Sequence, residues 1–240
     1  MSIKLFHSQN KSGQYVDWTN GILIFDGNSL TNSGLDNGYG TGKKYPEYLI
    51  ENAPFSDTGL FGVNTGPSGS ADLVCDGNNC HVYNFGVGGQ TTTAMISDAV
   101  SQIDSLYDSG KNCGVVAWEM SNELFFNNSV ANAEAKFQEY CEDRKVAGFY
   151  VIVLTATTRD SGTTPGGDSV ADFNTKIATL NTWLRANYTS FADKLIDLDA
   201  DVRLTDHTDS TYFFDMIHHN GSARNILGDL ISAELLTVPQ

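Results

Sequence analysis

A serine stands just beyond an apolar run and a tight turn: Ile22-Leu23-Ile24-Phe25 is followed by Asp26-Gly27-Asn28-Ser29. A second apolar segment, His81-Val82-Tyr83-Asn84-Phe85, runs into Gly86-Val87-Gly88-Gly89, and a third, Val115-Val116-Ala117-Trp118, into Glu119-Met120-Ser121-Asn122. A hydroxyl, a glycine amide and a carboxamide brought to one place are what acyl transfer asks for: a nucleophile, with donors for a developing oxyanion. The base that such a serine needs is offered by Asp215-Met216-Ile217-His218. An imidazole takes the hydroxyl proton, and an Asp three residues earlier in a compact turn reaches back to fix the ring's tautomer. Singly, each group has a plainer role. Asn28 and Ser29 read as caps, Asp215 as the N-cap of the last helix, and His218 as a surface histidine beside His219.

The elements that must position these groups are legible from periodicity. Ile22 to Phe25 is too short for a helix and rich in β-formers, so it reads as a buried strand ended by turn residues. Residues 32–42 form a Gly/Asn/Tyr-rich loop, Pro46 starts a short helix carrying Tyr45, Leu49 and Ile50, and 53–81 reads as an irregular insertion. After the second strand, Met95, Ile96, Ala99, Val100, Ile103 and Leu106 make a helical stripe stopped by Gly110. A helix over about 130–147, a strand over 150–154, a polar loop over 155–168 and a helix faced by Phe173, Ile177, Leu180 and Leu184 follow the third strand. A short fifth strand at 194–198 and a helix over 221–236 close the chain. Such alternation implies right-handed crossovers between parallel strands: an α/β fold, a three-layer α/β/α sandwich around a mostly parallel five-stranded sheet. Parallel strands deliver their carboxyl ends to one edge, where ligands of open α/β sheets bind. Residues 1–20 read as an arm packed on a single domain spanning 21–240.

Composition excludes several function classes. A formal charge of −15 and the lack of a basic stripe argue against nucleic acid as a partner. No run approaches the roughly 20 apolar residues of a membrane helix, and the N-terminus shows no signal-peptide pattern, so the expectation is a soluble chain, cytoplasmic or secreted. No Cys-x-x-Cys pair, zinc motif or calcium loop is present, and no metal or organic cofactor is expected. Cys75 and Cys80, in Cys-Asp-Gly-Asn-Asn-Cys, either close a small disulfide in oxidising surroundings or stay free, while Cys113 and Cys141 read as semi-buried thiols. Gly66-Pro67-Ser68-Gly69 falls short of a nucleophile elbow, and Gly38 to Lys44 has the wrong spacing for a phosphate loop.

In this order the four segments resemble the blocks of the SGNH or GDSL hydrolases, over about residues 22–235. Gly27-Asn28-Ser29-Leu30 matches the nucleophile block, Asn84-Phe85-Gly86-Val87-Gly88-Gly89 the glycine block, Trp118-Glu119-Met120-Ser121-Asn122-Glu123 the asparagine block, and Phe214-Asp215-Met216-Ile217-His218-His219-Asn220 the last. The resemblance implies a flavodoxin-like sandwich and a serine ester hydrolase with Ser29 as nucleophile, His218 as general base and Asp215 as its orienting acid. It also implies an oxyanion hole of the Ser29 amide, the Gly89 amide and the Asn122 side chain. Gly89 is preferred over Gly88 because a polar residue and a threonine, Gln90-Thr91, follow it. Three departures stand out: Asn28 in place of the usual Asp, Ser121 and Glu123 flanking Asn122 where Gly and Asp are commoner, and His219 in place of Pro.

The polar loops at 32–42, 53–81 and 155–168, with Tyr39, Trp118, Phe213 and Phe214 as stacking faces or core residues, favour a short acyl group on a polar alcohol or sugar, such as an O-acetylated carbohydrate. Two other readings use the same frame: a carbohydrate- or surface-binding module without turnover, and an acyltransferase in which another acceptor replaces water. A base at His218 predicts activity that falls as pH drops through about 6 to 7.

Overall fold

Leu23 and Phe25 point to one side of the first strand and Ile22 and Ile24 to the other, and each pair is buried in a different hydrophobic cluster. That two-sided burial is what a near-continuous apolar run means in a parallel sheet covered on both faces. The structure, a computed structural model, describes residues 15–18, 21–32, 44–51, 72–76 and 81–240. Its elements in chain order are β1 (Gly21–Gly27), α1 (Ser29–Asn32), α2 (Tyr45–Glu51), β2 (Asp72–Asp76), β3 (His81–Asn84), α3 (Thr92–Gln102), β4 (Asn112–Trp118), α4 (Ser121–Asn127), α5 (Val130–Val146), β5 (Tyr150–Leu154), α6 (Val170–Asn187), β6 (Lys194–Ile196) and α7 (Gly221–Leu235).

Among the described residues the sheet has six strands in the order β2-β3-β1-β4-β5-β6. All neighbouring pairs from β3 to β6 are parallel, and β2 alone runs antiparallel, on β3. The parallel part, β3-β1-β4-β5-β6, has the flavodoxin-like order, in which the chain goes out from β1 to one side and then returns to the other. The topological switch therefore lies at the carboxyl end of β1, where Ser29 begins α1.

The five parallel strands are the sheet expected from the sequence; β2 adds an antiparallel edge strand to it and corrects the expectation of an irregular 53–81 insertion. Asp72-Leu73-Val74-Cys75-Asp76 offers too brief an apolar pattern to stand out among the Gly, Ser and Asn around it, and its register on β3 is irregular between Leu73 and Cys75. The α4 helix was likewise not anticipated, and α3 ends at Gln102, giving way to a 3₁₀ turn at Asp104–Leu106 well before Gly110.

One face of the sheet is covered by α2 and α7, through Tyr45, Leu49, Ala223, Leu227, Ile231 and Leu235. The other is covered by α3 to α6, with Met95, Leu124, Phe137, Tyr140, Phe173 and Leu180 against Ile24, Val115 and Val153. Helix starts are fixed by side chains: Thr91 caps α3, Ser129 caps α5, Ser169 and Asp172 form a capping box on α6, and Asn220 caps α7. Residues 15–18 lie along the end of the chain, where Trp18 Nε1 donates to the Leu235 carbonyl at 2.8 Å and the Val16 amide to that of Val238 at 2.9 Å. No helix among the described residues is long and apolar enough to cross a membrane. Cys113 and Cys141 are free and buried, more deeply than their sequence context suggested. The proposed Cys75–Cys80 pairing, Tyr39 and the 33–43 loop lie outside the described residues or side chains.

Candidate active site

The position of Ser29 follows from two close backbone approaches. A Cβ on Gly27 would lie 2.5 Å from the Trp118 carbonyl oxygen, and one on Gly86 would lie 2.4 Å from the Asn32 nitrogen. Only glycine lets the end of β1 press against β4 and the α1 turn press against the end of β3. The turn is then pinned: the Val87 amide donates to the Gly27 carbonyl at 3.0 Å, and Asn84 Nδ2 to the Thr31 carbonyl at 2.9 Å. Asn28 accepts from the Leu30 amide at 2.8 Å through Oδ1, a local cap that holds Ser29 at the start of the short helix. The plain reading of Asn28 as a cap is therefore correct, and it coexists with the exposure of the Ser29 hydroxyl to His218.

Ser29 Oγ lies 2.9 Å from Nε2 of His218, whose Nδ1 lies 2.8 Å from Oδ2 and 3.1 Å from Oδ1 of Asp215. A carboxylate can only accept, so Nδ1 carries the proton in this arrangement and Nε2 faces the hydroxyl as an acceptor. The loop that achieves this is a compact turn. Asp215 Oδ1 also accepts from the backbone amides of Ile217 at 3.1 Å and His218 at 2.7 Å, and Met216 between them is in the left-handed region at φ 64°. The Phe214 amide donates to the His218 carbonyl at 2.7 Å, closing the loop beside the antiparallel bridge between Phe213 and His219. Helix α7 is capped by Asn220, which accepts from Ser222 and Ala223, so Asp215 is not the cap.

The electrostatics suit a base. Burial lowers the His218 pKa below the ordinary 6.5, against the opposing pull of Asp215, and the charges of Arg159 and Arg224 push the same way as burial. Partial burial works against the charge of Asp215, but donors from the His218 backbone, its ring and Ile217 outweigh it and hold the carboxyl below its usual range. Next in sequence, His219 is buried, stacks on Trp118 at 5.8 Å and packs against Phe213 at 4.6 Å. Neither of its ring nitrogens has a partner among the described residues, and burial drives its pKa down to about 3. The histidine that replaces the expected proline is a neutral core residue. Trp118 and Phe213 are core as well, whereas Phe214 and Met216 are half-exposed on either side of Asp215.

Gly89 is exposed at φ 77°, a conformation that favours glycine, in the turn where the Gln90 amide bonds the Val87 carbonyl at 3.1 Å. Asn122, in the first turn of α4, donates through Nδ2 to the Gln90 carbonyl at 3.0 Å, which places its amide beside the Gly89 segment. Ser29, His218 and Asp215 are thus brought into one hydrogen-bonded chain, and Asn122 is joined to the glycine turn.

Behind them lies a buried polar cluster that the sequence reading did not identify. The Glu119 carboxylate accepts from Thr92 Oγ1 at 2.7 Å, from the Asn122 backbone N–H at 2.6 Å and from Asn28 Nδ2 at 3.2 Å. One side chain therefore ties together the ends of β1 and β4 and the start of α3. Burial raises its pKa and those donors oppose the rise. Arg159, in the loop after β5, donates through one terminal nitrogen to Asn122 Oδ1 at 2.7 Å and through the other to the Ser121 carbonyl at 3.3 Å. Its guanidinium lies over the rings of Phe125 and Phe173, at 5.1 and 5.0 Å, and burial lowers its pKa to about 10. Glu123 accepts from Thr93, Asn127 and Asn132 and holds α4 to its neighbours.

No family model and no curated protein matches this sequence. Solved structures do match it. A lipolytic protein of the G-D-S-L family from Veillonella parvula is 15% identical with a TM-score of 0.62, over 88% of this chain and 96% of that one. A lipase/acylhydrolase from Enterococcus faecalis is 17% identical with a TM-score of 0.61, over 92% of this chain and 97% of that one. An acetylxylan esterase from Geobacillus stearothermophilus is 13% identical with a TM-score of 0.55, over 89% of this chain and 93% of that one. The α/β/α fold of this chain is the fold of these solved structures, the G-D-S-L lipolytic protein among them.

Proposed function

We propose that the protein is a carboxylic ester hydrolase that acts through a covalent acyl-serine. The observation that carries this reading is the unbroken contact chain Ser29 Oγ–His218 Nε2–Asp215, at 2.9 and 2.8 Å. Ser29 Oγ attacks the ester carbonyl carbon while its proton passes to His218 Nε2, and the carbonyl π electrons move onto oxygen. The Ser29 and Gly89 amides and the Asn122 carboxamide stabilise that oxyanion. Collapse of the adduct expels the alcohol, which takes the proton from His218. Water, deprotonated by the same nitrogen, then releases the acid and restores Ser29.

For the substrate, we propose a short acyl ester of a polar alcohol or sugar, with O-acetylated carbohydrate as the leading class. The acetylxylan esterase among the fold relatives supports this choice, as do the half-exposed Phe214 and Met216 beside the base, small apolar surfaces suited to a sugar face. The test is a p-nitrophenyl ester series from acetate to laurate, with Ser29→Ala as the blank, followed by acetylated xylan. Ser29-dependent turnover that falls steeply beyond butyrate supports the reading. Turnover that survives in Ser29→Ala overturns the mechanism, and a preference for laurate overturns the substrate class.

A further inference from the structure

We infer that Arg159 is a positioning residue for the oxyanion hole: it fixes which face of the Asn122 carboxamide is presented and strengthens its N–H as a donor. The inference rests on the esterase reading above and concerns a residue from a different loop. A carboxamide has chemically distinct ends that can be exchanged by a half-turn, and only its partners decide which end points where. Here the decision is unambiguous. A guanidinium can only donate, and it sits 2.7 Å from Oδ1, while a backbone carbonyl that can only accept, that of Gln90, sits 3.0 Å from Nδ2. Nδ2 bears two hydrogens, and Gln90 takes one, leaving the other for an oxyanion. A cation bonded to the amide oxygen also draws electron density from nitrogen, which polarises the remaining N–H.

The guanidinium is built in for this task and not merely accommodated. It is almost fully buried, lies over two aromatic rings, and has Glu119 close by as a countercharge. Its backbone is clamped on both sides by one side chain: the Arg159 amide donates to Asn174 Oδ1 at 3.0 Å, and Asn174 Nδ2 donates to the Arg159 carbonyl at 2.9 Å. The next residue donates its amide, Asp160 N–H, to the Met216 carbonyl at 2.9 Å, inside the loop that carries Asp215 and His218. One dipeptide therefore addresses the oxyanion side chain and the base loop together.

The experiment is a double-mutant cycle on p-nitrophenyl acetate with Arg159→Met, Asn122→Ala and the pair. Arg159→Met is expected to lower kcat by ~10–100-fold with KM within ~3-fold, because only the transition state bears the oxyanion. In the Asn122→Ala background the same change is expected to cost less than ~3-fold, since residues acting as one unit are not additive. Equal losses in both backgrounds overturn the inference. If Arg159→Met does not fold, Arg159→Lys carries the same comparison. The Asn122 side-chain NH₂ pair, recognised in a ¹⁵N spectrum by its loss in Asn122→Ala, gives a readout independent of turnover. Its exchange with water is expected to quicken in the Arg159 variants, and unchanged shifts and exchange also overturn the inference. Loss of the esterase reading shows up separately, as turnover that is absent or indifferent to Ser29→Ala, and the spectrum then decides the role of Arg159 alone.

Discussion

The side-chain amide of Asn28 donates to Oε1 of Glu119 across 3.2 Å, in a place where both residues are almost wholly buried. An aspartate at 28 would set two carboxylates against each other there. Asparagine keeps the acceptor that caps α1 and turns the other end of the side chain into a donor for Glu119. The departure from the usual nucleophile block is thus matched by a carboxylate on the neighbouring strand end. Asn28→Asp is expected to cost about 1–3 kcal/mol, the penalty for a broken buried polar contact. The variant pair would share a proton more readily folded than unfolded, so stability would be lost as pH rises. Urea unfolding should show a larger deficit at pH 8 than at pH 5, and equal deficits would refute this account.

Gly27 tests the geometry of the serine turn. Gly27→Ala drives a methyl to 2.5 Å from the Trp118 carbonyl, and overpacking of that kind costs about 1–3 kcal/mol. Gly88→Ala, with nothing within 4 Å of the new atom, is the stability control. Thermal melts should separate the two variants by several degrees.

The acid limb of activity should report His218. Burial and nearby arginines hold its pKa below 6.5, and a base must be neutral, so kcat/KM is expected to reach half its plateau below pH 6.5. The shift is downward from the ordinary histidine value, because burial outweighs the pull of Asp215. Asp215→Asn removes the group that raises the His218 pKa, so that variant should lose kcat while its half-point moves further down. A half-point above 7 in the parent would contradict the burial seen at the ring.

His219 makes a prediction about stability instead of rate. Its folded pKa of about 3 lies below the unfolded value of 6.5, so the unfolded chain binds the extra proton between these limits. The histidine therefore costs stability as pH falls below 6.5, at up to about 1.4 kcal/mol per unit. Asp26, pushed up to about 7 by burial, has the opposite sign over 3.8 to 7: stability is lost as pH rises. His219→Phe, which keeps an aromatic ring against Trp118, should gain on the parent as pH falls from 6.5 to 4.5. Chemical denaturation at those two pH values measures the gain, and a constant difference would rule out a neutral buried imidazole.

The frame and the hydroxyl–imidazole–carboxylate chain were legible because they rest on strong local signals. The run at 22–25 with its abrupt turn, the residues of β5 and the close spacing of Asp215 and His218 each carry their meaning within a few neighbours. Arg159 gave no such signal. It is one charged residue in a loop of Thr, Gly and Asp, and its partners Ser121, Asn122 and Phe125 belong to another strand end, so only tertiary packing gives it a role. Glu119 was visible as part of a block, but its bonds to Asn28 and Thr92 cross from β4 to two other segments. The helix α4 starts inside the block itself, where Ser and Asn read as turn residues, and β2 is an edge strand whose few apolar residues sit between aspartates in a stretch rich in Gly, Ser and Asn.

The single hydrogen bond from the Asp160 amide to the Met216 carbonyl has a dynamic meaning. Two loops that end different elements are stitched at one peptide group, so neither can swing outward without breaking the stitch. Local opening of the base loop and of the Arg159 loop should then occur as one cooperative event. In native-state hydrogen exchange, the Asp160 amide would exchange with the same opening free energy as the Phe214 amide, which bonds His218 across the neighbouring turn. That edge of the sheet would breathe as a unit.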